Sequence, residues 1–228
     1  MTASRPVALV TGASRGIGRA TALRLATGHD IIALARSTTD LESLRPEVEG
    51  TGASYRSIVV DLADHDAVDR ALAGVQCDVL INNAGVGPIK PLLELTPAEW
   101  HRIVDVNFSA LFHVTRAVLP GMIERRRGHV IIVGSIAGRS AFVGGTAYAA
   151  SKHAVAGFAE CLMLEVRHQG VKVSTVNPGS VATAFSRNPD ESWMLSPDEV
   201  AESIAHVIAT PHDVLVHSVE IRALAPKK

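Results

Sequence analysis

Cysteine, aromatic residues and any excess of one charge are scarce in this sequence. Its 228 residues include two Cys, five Phe, two Trp and two Tyr, and 22 basic against 23 acidic residues leave a formal net charge of −1. This balance excludes a general electrostatic attraction to nucleic acid or acidic membranes. No apolar run approaches the roughly 18 residues of a membrane span, and the first residues lack the pattern of a signal peptide. We therefore expect a cytoplasmic protein that binds neither nucleic acid nor membranes.

Clusters of metal-binding side chains are also missing. Cys77 and Cys161 form no CxxC motif, and each lies in an apolar segment where a small buried thiol packs well. The ten histidines are scattered without the spacing of metal ligands. We predict that both cysteines are reduced and buried, and that the protein holds no metal.

Hydrophobic residues are abundant, at 47% of the chain, and they recur in short runs separated by helix-like segments. Most runs are apolar at nearly every position, which is typical of strands covered on both faces. Strand–helix alternation predicts a doubly wound α/β fold with a parallel sheet and right-handed crossovers. The sequence contains no recognisable linker or repeat, so we predict one domain spanning 1–228. The predicted strands cover residues 7–12, 31–36, 57–61, 78–85, 129–135, 172–179 and 214–222.

The first predicted strand runs directly into TGASRGIG, from Thr11 to Gly18, and a helix-like stretch follows. Residues without side chains at such a turn let the backbone approach a ligand, and the unpaired N–H groups of the helix favour phosphate. The pattern predicts a dinucleotide cradle, although its GxxxGxG spacing departs from the general GxGxxG fingerprint. An ordinary glycine-rich turn is the alternative interpretation.

Six motifs, taken in order, resemble those of the short-chain dehydrogenase/reductase family. The order and spacing match over about residues 5–222, although any single motif could arise by chance. The resemblance implies a seven-stranded Rossmann sheet, a nicotinamide dinucleotide cofactor and a catalytic group of Asn107, Ser135, Tyr148 and Lys152. The motifs are Thr11-Gly12-x-x-x-Gly16-Ile17-Gly18, NNAG at 82–85, Asn107, Ser135, Tyr148-x-x-x-Lys152 and PGSVAT at 178–183.

Cofactor-binding positions follow from the same resemblance and from strand ends. Ligands of open parallel sheets bind beyond the carboxyl ends of the strands, where several of these motifs lie. Asn82 and Asn83 have a plainer interpretation as residues that brace a loop, and both interpretations can hold together. The implied cofactor-binding residues are Gly12, Ser14, Arg15, Gly16, Ile17, Gly18, Arg36, Asp61, Leu62, Asn83, Ala84, Gly85, Tyr148, Lys152, Pro178, Gly179, Val181 and Thr183.

The end of the second predicted strand bears on the choice between NAD and NADP. A carboxylate there would bind the ribose 2′-OH of NAD, whereas arginine accommodates a 2′-phosphate. Neutral Ala35 stands at the position that resembles the family's NAD-selective Asp, Arg36 follows it, and Arg15 lies in the glycine loop. We predict NADP(H), although either arginine alone could be a solvated surface residue. Asp61 and Leu62 resemble the family's adenine-contacting pair.

Tyr148 and Lys152 lie four residues apart in a segment, 140–159, that has no charged residue other than Lys152. On a helix they would share one face. An ammonium group about 6 Å away, at an effective dielectric constant near 20, stabilises a phenolate by roughly 2.8 kcal/mol. We therefore expect the pKa of Tyr148 to lie well below its ordinary value. The alternative is a buried tyrosine bonded to backbone, with the lysine extending to the surface.

Asn107 interrupts a helix-like segment from about 96 to 126. An Asn within a helix often faces solvent or bonds to its own backbone. The family resemblance instead implies a residue that distorts the helix and binds a water of a proton relay, and we favour that role.

Together these features predict an NADP(H)-dependent oxidoreductase that transfers a hydride between the nicotinamide and a carbonyl or secondary alcohol, with Tyr148 as general acid and base. The alternative is a non-catalytic NADP(H)-sensing or scaffold protein on the same fold.

Segments 100–123 and 146–164 are apolar on more faces than one sheet contact covers. The resemblance implies that a homodimer or homotetramer buries them.

A substrate lid is predicted at about 185–196. Phe185, Trp193 and Met194 could cover an apolar substrate or only pack the loop onto the core. Arg187 could meet a substrate carboxylate or lie in solvent.

Overall fold

The computed structural model describes residues 5–186 and 192–224. Strands and helices alternate along this part of the chain, with short 3₁₀ turns between some of them and one π-helical turn at Asp105–Ser109. The strands are β1 (Val7–Thr11), β2 (Asp30–Ala35), β3 (Tyr55–Val59), β4 (Val79–Asn82), β5 (Gly128–Val133), β6 (Val171–Pro178) and β7 (Ser218–Ile221). The helices are α1 (Gly16–Ala26), α2 (Thr38–Glu49), α3 (His65–Leu72), α4 (Pro97–Val104), α5 (Ala110–Glu124), α6 (Thr146–Val166) and α7 (Pro197–Ile208).

The strands form one parallel sheet in the order β3-β2-β1-β4-β5-β6-β7. The predicted doubly wound α/β fold is therefore confirmed. A strand was predicted at each of the seven places, although the last is shorter than the predicted 214–222. Strand order reverses between β1 and β4, and in sheets of this kind a crevice for ligands opens at that point, beyond the carboxyl ends of the strands.

Apolar side chains cover both faces of the sheet. Along β1, Ala8 and Val10 pack into the same cluster as apolar residues of α1, α2 and α7. Leu9, which points to the other face, joins a cluster that includes residues of α3, α5 and α6. Because both faces are buried, the strands appear in the sequence as continuous apolar runs.

Side-chain caps decide where α4 and α7 begin. Thr96 and Glu99 form a capping box at α4, and Ser196 and Glu199 form another at α7. In both helices a proline takes the first position, where its missing N–H costs nothing. The start of α7 is therefore determined by residues that are close to it in the sequence.

One prediction about the cysteines is wrong. Both thiols are free and Cys77 is buried, but Cys161 is exposed. Helix α6 turns Ala159 and Leu162 into the core, so Cys161 falls on its outer side. Among the residues that the structure describes, no helix combines the length and the hydropathy needed to cross a bilayer.

Candidate active site

The glycine loop connects the carboxyl end of β1 to α1. Gly12 and Gly16 have φ values of +67° and +55°, a region that favours glycine. A Cβ on Gly18 would lie 2.3 Å from the carbonyl oxygen of Gly12, so the helix can pack against the preceding turn only without a side chain there. Arg15, at the N-cap of α1, makes no capping bond from its side chain. The N-cap side chain thus leaves the first N–H groups of α1 uncapped, which fits a site for phosphate.

The NNAG motif braces this loop from the neighbouring strand. The Thr11 hydroxyl accepts the backbone N–H of Asn83 at 3.0 Å and that of Ala84 at 3.1 Å. The Asn83 side-chain amide donates to the Thr11 carbonyl at 2.9 Å, while the buried Asn82 amide donates to Thr115 of α5 at 3.0 Å. These bonds fix the crevice between β1 and β4, in agreement with the bracing interpretation.

Asn107 lies in the π-helical turn between α4 and α5, so the predicted distortion of the long helix at this residue is present. Its Oδ1 accepts the Val86 N–H at 2.7 Å, and its Nδ2 donates to the Val86 carbonyl at 2.8 Å and to the Ser151 hydroxyl at 3.0 Å. The side chain therefore ties the loop after β4 to α6. Beside Asn107 and Lys152 lies a cavity of about 20 Å³, large enough for one water molecule.

Lys152 and Tyr148 meet Ser135 at the end of β5. Lys152 is 6% exposed, and its ammonium donates to the Val133 carbonyl at 3.0 Å and lies 5.9 Å from the centroid of the Tyr148 ring. The alternative of a lysine reaching the surface is therefore wrong. The Ser135 side chain lies close enough to Tyr148 to lower the pKa of the phenol, and it accepts the Ala137 N–H at 3.1 Å. The four residues of the predicted catalytic group thus converge on one place.

The electrostatics of this group differ from the sequence-based expectation. Burial raises the pKa of Tyr148, and the hydrogen bond with Ser135 offsets only part of that rise. Burial also lowers the pKa of Lys152 to about 8. The predicted fall in the Tyr148 pKa is therefore wrong for this structure, because loss of water disfavours the charged form of each group.

An apolar wall stands beside Tyr148. The ring of Phe185 lies with its centroid 5.3 Å from that of Tyr148. A Cβ on Gly87 would lie 2.8 Å from the Tyr148 ring and 3.2 Å from Phe185, so glycine is needed where the loop after β4 approaches both. Phe185 is 40% exposed and so offers part of its ring to a ligand.

Backbone bonds join Leu195, in the described part of the predicted lid, to residues that precede the lid. Ala182 N–H donates to the Leu195 carbonyl at 2.8 Å, and Leu195 N–H donates to the Ser180 carbonyl at 3.0 Å. Met194 accepts a hydrogen bond from the Ser186 hydroxyl at 3.6 Å. Arg187 lies outside the described residues.

Charged groups gather where β2 and β3 end. Arg15 and Arg36 are both exposed at this edge. The Asp61 carboxylate lies 4.0 Å from Arg36 and accepts a 2.9 Å hydrogen bond from Arg102 of α4. Burial raises the pKa of Asp61, but the hydrogen bonds from Arg102 and from the Ala63 N–H outweigh that effect and hold it below its usual value. Sequence reasoning missed Arg102, because no local signal joins a helix residue to a carboxylate 41 positions away.

The remaining predicted cofactor-binding residues lie in different surroundings. Thr183 lies near the glycine loop, where its methyl would be 3.3 Å from a Cβ on Gly16. Gly179 lies beside the end of β7, and its N–H donates to the Ile221 carbonyl at 2.8 Å. Leu62 and Val181 are instead buried in the two core clusters. Ser14 and Ile17 are partly exposed in the glycine loop, Gly85 lies beside Asn107 and Lys152, and Pro178 is buried at the end of β6.

Comparison with known proteins adds an independent line of observation. A family model described as short chain dehydrogenase matches residues 6–192. The NADP-dependent 3-hydroxy acid dehydrogenase YdfG of Salmonella typhi is 33% identical over 235 aligned positions, which cover 94% of each chain. The 3-oxoacyl-acyl-carrier-protein reductase FabG of Escherichia coli K12 is 34% identical over 209 positions, covering 89% of this chain and 82% of its own.

Solved structures agree closely in fold. A metagenomic short-chain oxidoreductase in complex with NADP superposes with a TM-score of 0.87 at 35% identity, covering 98% of this chain and 99% of the other. The closed form of a serine dehydrogenase complexed with NADP⁺ gives a TM-score of 0.88 at 31% identity and covers 94% of each chain.

Proposed function

Since this chain belongs to the short-chain dehydrogenase family, we propose that it is an NADP(H)-dependent oxidoreductase that interconverts a carbonyl compound and a secondary alcohol. One observation carries the proposal: Ser135, Tyr148 and Lys152 converge at the carboxyl edge of the sheet, next to the crevice between β1 and β4. A hydroxyl pair backed by a buried ammonium suits proton transfer to an oxygen atom.

The residues at the crevice fit a dinucleotide phosphate. The uncapped N-terminus of α1 and the glycine loop would hold the pyrophosphate, and Arg15 and Arg36 would meet a 2′-phosphate. Ala35 offers no carboxylate to the ribose of NAD. The NADP complexes of similar structures support this preference. When bound, NADP(H) supplies or accepts the hydride.

Tyr148 is the proton donor in the direction of reduction. Its raised pKa keeps the phenol protonated at neutral pH, so a proton is ready for the carbonyl oxygen as negative charge develops there. The Ser135 hydroxyl already lies within hydrogen-bonding reach of the phenol. A carbonyl oxygen held between the two hydroxyls would accept a hydrogen bond from each, which stabilises the developing charge.

Lys152 and Asn107 support this donor. An ammonium group has three protons, and the Val133 carbonyl takes one of those of Lys152. The other two would be available to a ribose hydroxyl of the cofactor and to a water in the adjoining cavity, from which a proton could return to Tyr148. Asn107 shapes that cavity by fixing Val86 and Ser151.

The substrate side of the site favours an apolar substituent next to the carbonyl. Phe185 presents its ring beside Tyr148, and Gly87 brings the loop after β4 against both rings. YdfG and FabG are named for 3-hydroxy acids and 3-oxoacyl groups. An aryl or alkyl ketone therefore belongs in any substrate screen, beside keto acids.

The outer faces of α5 and α6 support a homo-oligomer. Phe112 on α5 is 47% exposed and Leu164 on α6 is 55% exposed, and Gly157 and Cys161 lie with Leu164 on the outer side of α6. Exposed apolar and small side chains on adjacent helices suit burial against a second copy of the chain.

The test of the proposed function is turnover with its cofactor. Purified protein would be assayed for NADPH oxidation against ketones, diketones, quinones and keto acids, beside the Tyr148→Phe variant. Turnover in the wild type and its loss in the variant are expected. Tight NADPH binding without turnover of any compound would contradict the proposal and favour a sensor or scaffold.

A further inference from the structure

Asp61 lies between two guanidinium groups, and it contacts them unequally. Both carboxylate oxygens lie 2.9 Å from Nη1 of Arg102, whereas the nearest approach to Arg36 is 4.0 Å. The first distance is that of a charge-assisted hydrogen bond, and the second is the outer limit of an ion pair. One oxygen of Asp61 also accepts the Ala63 N–H at 3.0 Å. The carboxylate is therefore held mainly by Arg102.

The two arginines also differ in freedom. The side chain of Arg102 is 31% exposed and that of Arg36 is 59% exposed. The start of α4, the helix that bears Arg102, is set by the capping box of Thr96 and Glu99. Arg102 is thus anchored on a short capped helix, and Arg36 extends toward solvent from the end of β2.

Without Arg102, the Asp61 carboxylate would keep the Ala63 N–H and would lie beside Arg36. A phosphate monoester carries close to two negative charges at neutral pH, so it repels a nearby carboxylate. A free Asp61 would also compete with that phosphate for the guanidinium of Arg36. Both effects would weaken binding of a 2′-phosphate and leave a 2′-hydroxyl largely unaffected.

We propose that Arg102 is a positioning residue for cofactor selection: it holds and neutralises Asp61, so that Arg36 stays available for the 2′-phosphate of NADP. This inference depends on the proposed function, in which Arg36 meets that phosphate. Arg102 acts through Asp61 and does not itself touch the cofactor. The selection of NADP over NAD therefore involves a residue on α4 as well as the end of β2.

The test compares dissociation constants of NADP⁺ and NAD⁺ by calorimetry, without any turnover. Arg102→Gln should weaken NADP⁺ about two- to fivefold and leave NAD⁺ nearly unchanged, the range expected for losing one partly exposed ion pair. Arg102→Lys, which keeps the charge, should lose less. Asp61→Asn in the Arg102→Gln background should restore the ratio of the two constants toward that of the wild type, because the competing carboxylate is gone.

Arg24→Gln is the matched control. It removes the same charge from an exposed ion pair with Glu202, at the end of α1 away from the crevice, and should leave both constants unchanged. Equal weakening of both cofactors by Arg102→Gln would overturn the inference. So would failure of Asp61→Asn to restore the ratio, since Arg102 would then act on the cofactor directly.

Arg36→Gln separates this inference from the proposed function. If it lowers the preference for NADP⁺ while Arg102→Gln does not, only the role of Arg102 is wrong. If Arg36→Gln leaves the preference unchanged, the 2′-phosphate assignment itself is wrong, and the inference about Arg102 falls with it.

Discussion

The ammonium group of Lys152 lies 5.9 Å from the centroid of the Tyr148 ring and is bonded to the backbone carbonyl of Val133. The pair shares an environment with little water, which raises the pKa of the phenol and lowers that of the ammonium to about 8. At neutral pH this arrangement keeps a proton on Tyr148 and a positive charge on Lys152. Such a state suits reduction of a carbonyl.

Replacing Tyr148 by Phe removes the proposed proton donor and keeps the bulk of the ring. We expect kcat to fall by about 10²- to 10⁴-fold, the usual cost of losing general acid–base catalysis. NADPH affinity and the melting temperature should change little. Steady-state kinetics, calorimetric binding and thermal unfolding would check these three quantities.

The chain's other tyrosine provides the control. The Tyr55 hydroxyl donates to the Leu41 carbonyl at 2.7 Å, within the core formed with α2. Tyr55→Phe should cost about 1 kcal/mol of stability and leave kcat intact. A folded Tyr148→Phe protein with near wild-type turnover would show that the phenol is not the acid.

The pH dependence of activity should reflect Lys152. Its pKa is lowered to about 8, so the ammonium is charged below that pH and becomes neutral above it. Since the charge is proposed to hold the ribose, NADPH affinity and kcat/KM for reduction should decline as the pH rises through about 8. Arginine stays charged at higher pH than lysine. In the Lys152→Arg variant, the decline in NADPH affinity and in kcat/KM should therefore begin at a higher pH. Identical profiles for the two proteins would assign the titration to another group.

Cofactor preference should change when both exposed arginines at the crevice are replaced. Arg36→Asp combined with Arg15→Ala removes two cations and adds an acceptor for a ribose hydroxyl. The ratio of kcat/KM for NADPH to that for NADH should fall by about tenfold or more. A ratio that stays at its wild-type value would mean that neither arginine meets the 2′-phosphate.

His129 should make the fold sensitive to acid. Burial, with a smaller contribution from Lys172, lowers the pKa of His129 to about 3, and its Nε2 bonds the Ser174 hydroxyl at 2.8 Å. Because the unfolded chain takes up this proton near its ordinary value of 6.5, stability is lost as the pH falls from about 6.5 toward 3. Between about pH 6.5 and 4.5 the free energy of unfolding should drop by about 2–3 kcal/mol from this residue.

Urea unfolding across that pH range would measure the effect. His129→Gln can still donate to Ser174 but does not titrate, so its stability should vary less with pH than that of the wild type. Parallel slopes for the two proteins would mean that other groups account for the acid sensitivity.

Assembly can be tested at Gly157 on the outer side of α6. Apart from the backbone of the same helix and the neighbouring residues, no described atom lies within 4 Å of the position that a Cβ would take there. In an isolated chain, Gly157→Ala should stabilise the helix by up to about 1 kcal/mol. If a second copy packs closely on this face, the added methyl group should weaken the assembly instead. We expect an oligomer of the wild type by light scattering at micromolar concentration, and a monomer would contradict the prediction.

How much the sequence determines can be judged from particular residues. The seven strand positions follow from apolar runs, and the caps of α4 and α7 lie within four residues of the helix starts. The distortion at Asn107 was expected from the family resemblance, yet its bonds to Val86 and Ser151 depend on two other elements. The role of the side chain in joining them could not be deduced from helix periodicity.

By itself, the sequence determined the fold class and the glycine loop, because hydrophobic period and glycine act over a few residues. The catalytic group of Asn107, Ser135, Tyr148 and Lys152 was implied by the family resemblance of the sequence. Only the tertiary structure decided the exposure of Cys161, the raised pKa of Tyr148 and the pairing of Asp61 with Arg102. Each depends on which surfaces pack together and how much water they exclude, and those contacts join residues far apart in the chain.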